Sequence, residues 1–63
     1  MAQDYEVYQG DGRWYVQAEG APAPCGRERT KRAAIALAVK LTAGVGQVRV
    51  RNPKTGRYTD ESR

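Results

Sequence analysis

The chain has 63 residues, of which 40% are hydrophobic and 29% are charged, and its formal net charge is +4. A chain of this length forms one domain at most and buries only about 60% of its unfolded surface, so its core must be small. One cysteine and no histidine exclude an internal disulfide, a cysteine-rich metal site and the commonest general base.

The first predicted element is a β-hairpin over residues 4–19. Tyr5 and Val7, and later Trp14 and Val16, alternate with polar residues, which is the period of half-buried strands. The intervening sequence QGDG supplies residues that tolerate the positive φ angles of a tight turn. We expect Trp14 to be the largest side chain of the core.

Residues 20–29 are predicted to form a loop that leads to a helix. Pro22 and Pro24 remove backbone donors and favour an extended path. Cys25, which has no histidine to activate it, is interpreted as an inert loop thiol.

The only convincing amphipathic helix is predicted over residues 30–43. Thr30 is a good N-cap, and Gly44 is a natural stop residue. The apolar stripe consists of Ala34, Leu37, Ala38 and Leu41, widened by Ile35. This stripe is expected to be buried, and the many alanines favour close approach to a sheet.

A second hairpin is predicted over residues 45–59. Val48 and Val50 alternate with Arg49 and Arg51, so the valines are expected inside and the arginines outside. Residues 52–56, NPKTG, form a strong turn sequence, and residues 60–63 are expected to be a polar tail.

These elements predict a single α+β domain over residues 1–63 with the order ββαββ. We expect a small antiparallel sheet with one helix packed on one face. The preferred spatial order of the four strands is 2-1-3-4, with all neighbours antiparallel. The alternative places the third strand parallel beside the second, joined by a right-handed crossover.

Three segments resemble a known family: DGRWYV (residues 11–16), TKRAAIALA (residues 30–38) and KTGRYTDESR (residues 54–63). They are similar to the Gly-x-Trp-x-Val hairpin, the Thr-Lys-x-x-Ala helix start and the Gly-Arg turn of a family of short bacterial proteins, the domain of unknown function DUF2188. The resemblance implies the ββαββ fold and no activity. Arg32 departs from it, because the helices of that family commonly carry an acid soon after Thr-Lys.

Charge is distributed unevenly along the chain. Residues 1–26 sum to −3, residues 27–57 to +8 and residues 58–63 to −1. Such asymmetry indicates either an anionic partner or pairing between the two halves of the chain.

Four cations, Arg27, Arg29, Lys31 and Arg32, surround the predicted helix N-terminus, where the macrodipole is already positive. A phosphate there could meet backbone N–H groups, the dipole and guanidinium groups together. The alternative interpretation is a solvated loop screened by Glu28 and salt. The predicted nucleic-acid or phosphate site comprises Arg27, Arg29, Lys31 and Arg32, with support from Lys54 and Arg57.

A second basic group lies on the outer sheet face and in the last turn and consists of Arg49, Arg51, Lys54 and Arg57. Tyr8 and Tyr15 are also expected to point outward, and such a mixture is typical of nucleic-acid-binding sheets. Alternatively, Asp4 and Glu6 on the neighbouring strand could form ion pairs with Arg49 and Arg51.

Two functional hypotheses follow. The first is a non-enzymatic basic binding module for nucleic acid, DNA or RNA, or phosphate. The second is a protein-interaction or assembly module that acts as a homodimer and has no nucleic-acid role. Both modules are expected in the cytoplasm, without cofactor or metal. No membrane partner is expected, since no stretch approaches the roughly 20 apolar residues of a membrane span.

Overall fold

One helix covers one face of an open five-stranded sheet. The computed structural model of the chain describes residues 3–61. In chain order, the elements are β1 (Tyr5–Gly10), β2 (Arg13–Ala18), β3 (Gly26–Glu28), α1 (Lys31–Thr42), β4 (Val48–Arg51) and β5 (Tyr58–Asp60). The sheet order is β3-β2-β1-β4-β5, and α1 contacts the first four strands of the chain. The expected α+β class is therefore confirmed.

The expected ββαββ order and the all-antiparallel sheet are wrong in two respects. A short third strand, β3, lies within residues 20–29 and pairs antiparallel with β2. In addition, β4 lies beside β1, as expected for these two strands, but parallel to it. The sheet is therefore mixed.

The extra strand explains the parallel pairing. β2 returns the chain to the end of the sheet where β1 began, and β3 then carries it back to the opposite end before α1 starts. Because α1 crosses the sheet once more, β4 starts at the same end as β1 and runs alongside it. Without β3, the same helix would deliver β4 in the antiparallel orientation.

Both predicted turns have the expected left-handed residues. Asp11 and Gly12 have φ angles of 52° and 75°, which is the pattern of a two-residue turn with positive φ at both positions. In the turn between β4 and β5, the Asn52 side-chain oxygen accepts from the Lys54 backbone N–H at 2.8 Å. Gly56 there has a φ angle of 75°.

The core lies between α1 and the sheet face that it covers. It consists of six buried residues, Val7, Val16, Ala34, Ala38, Val48 and Val50. Trp14 packs against this cluster but remains partly exposed, so the expectation that it is the largest core side chain needs correction.

The buried line of α1 also differs from the predicted stripe. Ala34, Ala38 and Thr42 are buried at a spacing of four residues, whereas Leu41 is 42% exposed. Small residues on this line let the helix approach the valine layer closely, and Leu41 falls at its margin. The buried Thr42 hydroxyl is satisfied because it donates to the Val39 carbonyl at 2.7 Å.

The ends of α1 are close to the predicted ones. The Thr30 hydroxyl caps the start of the helix, while Ala43 and then Gly44 adopt left-handed φ angles of 54° and 80° at its end. The expected polar tail is partly ordered, because Asp60 belongs to β5 and the Glu61 N–H donates to the Val48 carbonyl at 2.7 Å. Residues 62 and 63 of that tail lie outside the described residues.

Candidate nucleic-acid interface

The strand directions bring all the predicted site residues to one end of the sheet. β1, β3 and β4 run in the same direction and finish at this end, where α1 also begins. We call it the basic end. It carries Arg27 and Arg29 around the end of β3, Lys31 and Arg32 in the first turn of α1, and Lys54 and Arg57 in the turn between β4 and β5.

An open cleft with a volume of about 560 Å³ lies at the start of the helix. We call it the arginine cleft; its lining residues are Arg13, Arg27, Glu28, Arg29, Thr30 and Ala33. It therefore combines three guanidinium groups with one carboxylate. Arg13 was not among the predicted site residues because it lies in the acidic half of the sequence and joins the cleft only through the pairing of β2 with β3.

Local backbone geometry leaves the start of α1 positively polarised. The Ala33 N–H donates to the Thr30 hydroxyl at 3.1 Å, which satisfies one of the first helical donors. No acidic residue occupies the first turn, so no side chain of that turn offsets the positive end of the helix dipole. The arginine cleft is thus suited to a phosphate or another anion.

The six predicted residues form three separate groups and not one pocket. Arg27 and Arg29 line the arginine cleft, whereas Lys31 and Arg32 are exposed on α1 outside its lining. Lys54 and Arg57 lie beside the strand at the other edge of the sheet. Four strand spacings separate the edges, a distance of about 19 Å. A ligand that contacts all three groups must therefore be extended.

A line of cationic and aromatic residues crosses the sheet face that α1 leaves uncovered. Tyr15 lies opposite Tyr8 on one side and Arg27 on the other, and Arg51 lies opposite Tyr58. The Tyr8 and Tyr15 rings are stacked, with centroids 5.6 Å apart and planes inclined by 26°. The expected mixture of tyrosine and arginine on the outer face is therefore present.

Part of the charge on this face is neutralised locally. Arg51 Nε lies 3.7 Å from Glu6 Oε2, and Tyr58 donates to the same carboxylate oxygen at 2.9 Å. Arg51 Nη2 also donates to the Tyr58 hydroxyl at 3.0 Å. This hydrogen bond, together with the charge of Glu6, raises the pKa of Arg51 above its ordinary value.

The expected pairing of acids with arginines therefore holds for Glu6 and Arg51 but not for Asp4. The Asp4 carboxylate instead accepts the Gln47 backbone N–H at 2.9 Å, just before β4 starts. Since Arg51 is occupied by Glu6 and Tyr58, the cations around the arginine cleft are better placed to meet an external anion. Within residues 3–61, none of the cleft arginines forms an ion pair.

Burial changes the acid–base chemistry of Tyr8. Desolvation, followed by the charges of Glu6 and Tyr15, raises the pKa of Tyr8 above 10.0, while Arg51 acts in the opposite direction. The Tyr8 hydroxyl donates to Gln17 Oε1 at 2.7 Å. Tyr8 is therefore an uncharged, anchored ring near neutral pH.

Fold and sequence together separate the charges of the described residues into two ends. Seven cations share the basic end with two carboxylates, Asp11 and Glu28, and an eighth, Arg51, lies in the nearest sheet row but is paired with Glu6. The opposite half holds five carboxylates with two cations, Lys40 and Arg49. These carboxylates are Asp4, Glu6, Glu19, Asp60 and Glu61. The molecule is therefore electrically bipolar in space as well as in sequence.

Among residues 3–61, no group of three acidic or cysteine side chains lies close enough together to hold a metal ion. Helix α1 is too short to cross a lipid bilayer. Cys25 is exposed and has no disulfide partner.

Comparison with known proteins assigns the chain to a family. A family model described as an uncharacterised protein conserved in bacteria, DUF2188, matches residues 5–63. The comparisons with curated proteins and with solved structures find no match. Because the family match includes every strand and the helix, the chain belongs to the DUF2188 family of bacterial proteins.

Proposed function

We propose that this chain is a non-enzymatic, cytoplasmic module that binds nucleic acid through its basic end. The observation that carries the proposal is the separation of charge: seven cations against two carboxylates gather at one end of the described structure, not counting Arg51, which is paired with Glu6. A phosphate backbone is an extended row of negative charges, which suits cations spread over about 19 Å between the two sheet edges. Phosphate at the arginine cleft would also meet the positive end of α1.

The expected binding is electrostatic and weakly selective for sequence. Each phosphate that a cation neutralises releases counterions, so affinity should fall steeply with salt. In the part of the chain that the structure describes, no helix is directed outward from the basic end to read bases, because α1 packs against the sheet. Backbone contacts of this kind position a ligand without reading its bases.

Binding of labelled oligonucleotides over a range of salt concentrations tests the proposal. Arg29→Ala should weaken binding and reduce the slope of log K against log salt by about 0.7 to 0.9. Lys40→Ala is the matched control, since it removes one exposed cation from the opposite half of the molecule. Absence of binding at low salt, or equal effects of the two variants, contradicts the proposal.

Assembly into a homodimer is the second candidate function. It is favoured by the open sheet, whose edge strands are β3 and β5, because an edge strand can pair with a second chain. This function predicts a stable dimer at micromolar concentration and indifference to nucleic acid. Sedimentation with and without oligonucleotide distinguishes the two, and a monomer in both conditions contradicts assembly.

A further inference from the structure

The stacked tyrosines on the uncovered sheet face are not needed for contacts to phosphate alone. Tyr8 and Tyr15 are only partly buried, although α1 covers the other face of the sheet. Aromatic rings left accessible beside a basic surface are the usual platform for stacking nucleobases.

Local packing fixes the Tyr15 ring. A Cβ atom added at Gly10 would lie 3.3 Å from Tyr15 Cε2, so the ring lies close over a position without a side chain. Its other neighbour is the Tyr8 ring, with centroids 5.6 Å apart. The hydroxyl of Tyr8 is in turn held by Gln17. A ring held in this way loses little conformational entropy when a base stacks on it.

A groove of about 370 Å³ runs beside Tyr15. We call it the tyrosine groove; it is lined by Tyr15, Pro24, Cys25, Gly26 and Arg27. Arg27 also lines the arginine cleft, so it connects the two cavities. A phosphate near Arg27 would therefore place an adjacent base within reach of the Tyr15 ring.

The charge of this region selects the kind of ligand. The two cavities together are lined by three arginines and by one carboxylate, that of Glu28. A ligand complementary to this basic lining and to the Tyr15 ring is an anion that also carries flat aromatic groups. In a duplex the bases are stacked inside the helix, whereas in a single strand they are free to stack on a protein ring.

We propose that the chain binds single-stranded nucleic acid in preference to duplex, with an unpaired base stacked on Tyr15 and a neighbouring phosphate at Arg27. This inference rests on the proposed function and specifies that the preferred nucleic acid is single-stranded. It applies to DNA and RNA, because neither base stacking nor a phosphate contact depends on the 2′-hydroxyl.

The test compares oligonucleotides of equal length in the same low-salt buffer: oligo-dT, oligo-rU, a DNA duplex and an abasic strand that keeps its phosphates. Fluorescence anisotropy should show tighter binding of oligo-dT or oligo-rU than of the duplex and the abasic strand. Tyr15→Leu should weaken single-strand binding about 5- to 150-fold, whereas Tyr15→Phe should retain it. Thermal unfolding verifies that both variants are folded.

The outcomes separate the two proposals. Equal affinity for the four ligands, with sensitivity to Arg29→Ala, overturns the single-strand preference and leaves the proposed function intact. Loss of binding to every ligand at low salt overturns both. If Tyr15→Leu does not fold, the abasic strand still decides the inference with the natural protein, since it removes the bases and keeps the charge.

Discussion

At the scale of single residues, the left-handed position in the first hairpin turn tests how far local backbone preference determines the fold. Gly12 has a φ angle of 75° and no heavy atom within 4 Å of an added Cβ. Gly12→Ala should therefore cost about 1 to 2 kcal/mol of unfolding free energy through conformational strain alone. Urea denaturation measures this cost, and Asp11→Asn should remain close to the natural protein because asparagine tolerates this conformation. An unchanged midpoint for Gly12→Ala contradicts the interpretation.

Substitutions at Thr30 distinguish its contribution to helix stability from its contribution to anion binding. Thr30→Ala removes the bond to the Ala33 N–H and should cost about 0.5 to 2 kcal/mol. Thr30→Asp keeps a capping oxygen and adds a negative charge at the positive end of the dipole, so it should preserve or raise stability. The same carboxylate lies in the arginine cleft and should weaken nucleic-acid binding. Thermal unfolding and anisotropy together test this, and a Thr30→Asp variant that binds more tightly contradicts it.

The raised pKa of Tyr8 predicts that the folded protein loses stability at alkaline pH. Its pKa in the folded protein is raised above 10.0, so the folded state keeps the phenol proton longer than the unfolded state does. The resulting stabilisation is fully present below pH 10 and is lost as the pH rises through the folded pKa. Tyrosinate absorbance should reveal a late-ionising group that disappears in Tyr8→Phe. Tyr5→Phe is the control, because Tyr5 is not among the groups that shift the pKa of Tyr8, and persistence of the late step in Tyr8→Phe contradicts the assignment.

At the scale of elements, the sequence identified the longer segments and missed β3. The helix and the two hairpins have clear periodicity and turn residues, whereas β3 has three residues, GRE, between a proline-rich stretch and the helix cap. Its formation depends on pairing with β2, where the Cys25 N–H donates to the Val16 carbonyl at 2.8 Å. No local pattern reports such a contact, so neither β3 nor the parallel orientation of β4 could be predicted.

The same limit applies to the candidate site. The helix N-terminus and its cations were recognisable because capping chemistry and charge are local properties. The participation of Arg13, and the distance of Lys54 and Arg57 from the arginine cleft, depend on strand order. Leu41 was predicted to be buried and is exposed for a similar reason. The apolar stripe of the helix is broad, and the position of the sheet determines which margin of the stripe is covered.

The contact between β3 and α1 can be tested by a double-mutant cycle. A Cβ added at Gly26 would lie 2.6 Å from Leu37 Cδ2, the flexible end of a partly exposed side chain, so Gly26→Ala should cost about 1 kcal/mol, at the low end of overpacking. Leu37→Ala creates space at this contact but removes apolar burial. The double variant should therefore be more stable than the sum of the two single effects predicts. Denaturant unfolding of all four proteins gives the coupling, and strict additivity contradicts a direct contact.

At the scale of the whole molecule, β3 determines where the charges lie. It carries the chain away from Asp4 and Glu19 before α1 begins, so the cationic helix start is far from these carboxylates. In the expected four-stranded sheet, the helix start and the turn between β4 and β5 would lie at the same end as Asp4 and Glu19. The three-residue strand β3 thus separates the positive charges from the negative charges, which would lie at the same end of the sheet without it.

Placement of charge, and not its total, is therefore expected to govern binding. Asp11→Asn and Glu19→Gln each raise the net charge by one, but Asp11 lies in the turn at the basic end and Glu19 follows β2 at the opposite end. Asp11→Asn should strengthen binding to oligo-dT at low salt, because it removes a repulsive carboxylate near the cleft cations. Glu19→Gln should leave the affinity nearly unchanged, since charges separated by more than a Debye length, about 10 Å at 0.1 M salt, are largely screened. Titrations at two salt concentrations measure both variants. An equal gain from the two substitutions would mean that net charge alone attracts the ligand, and the basic end would lose its special role.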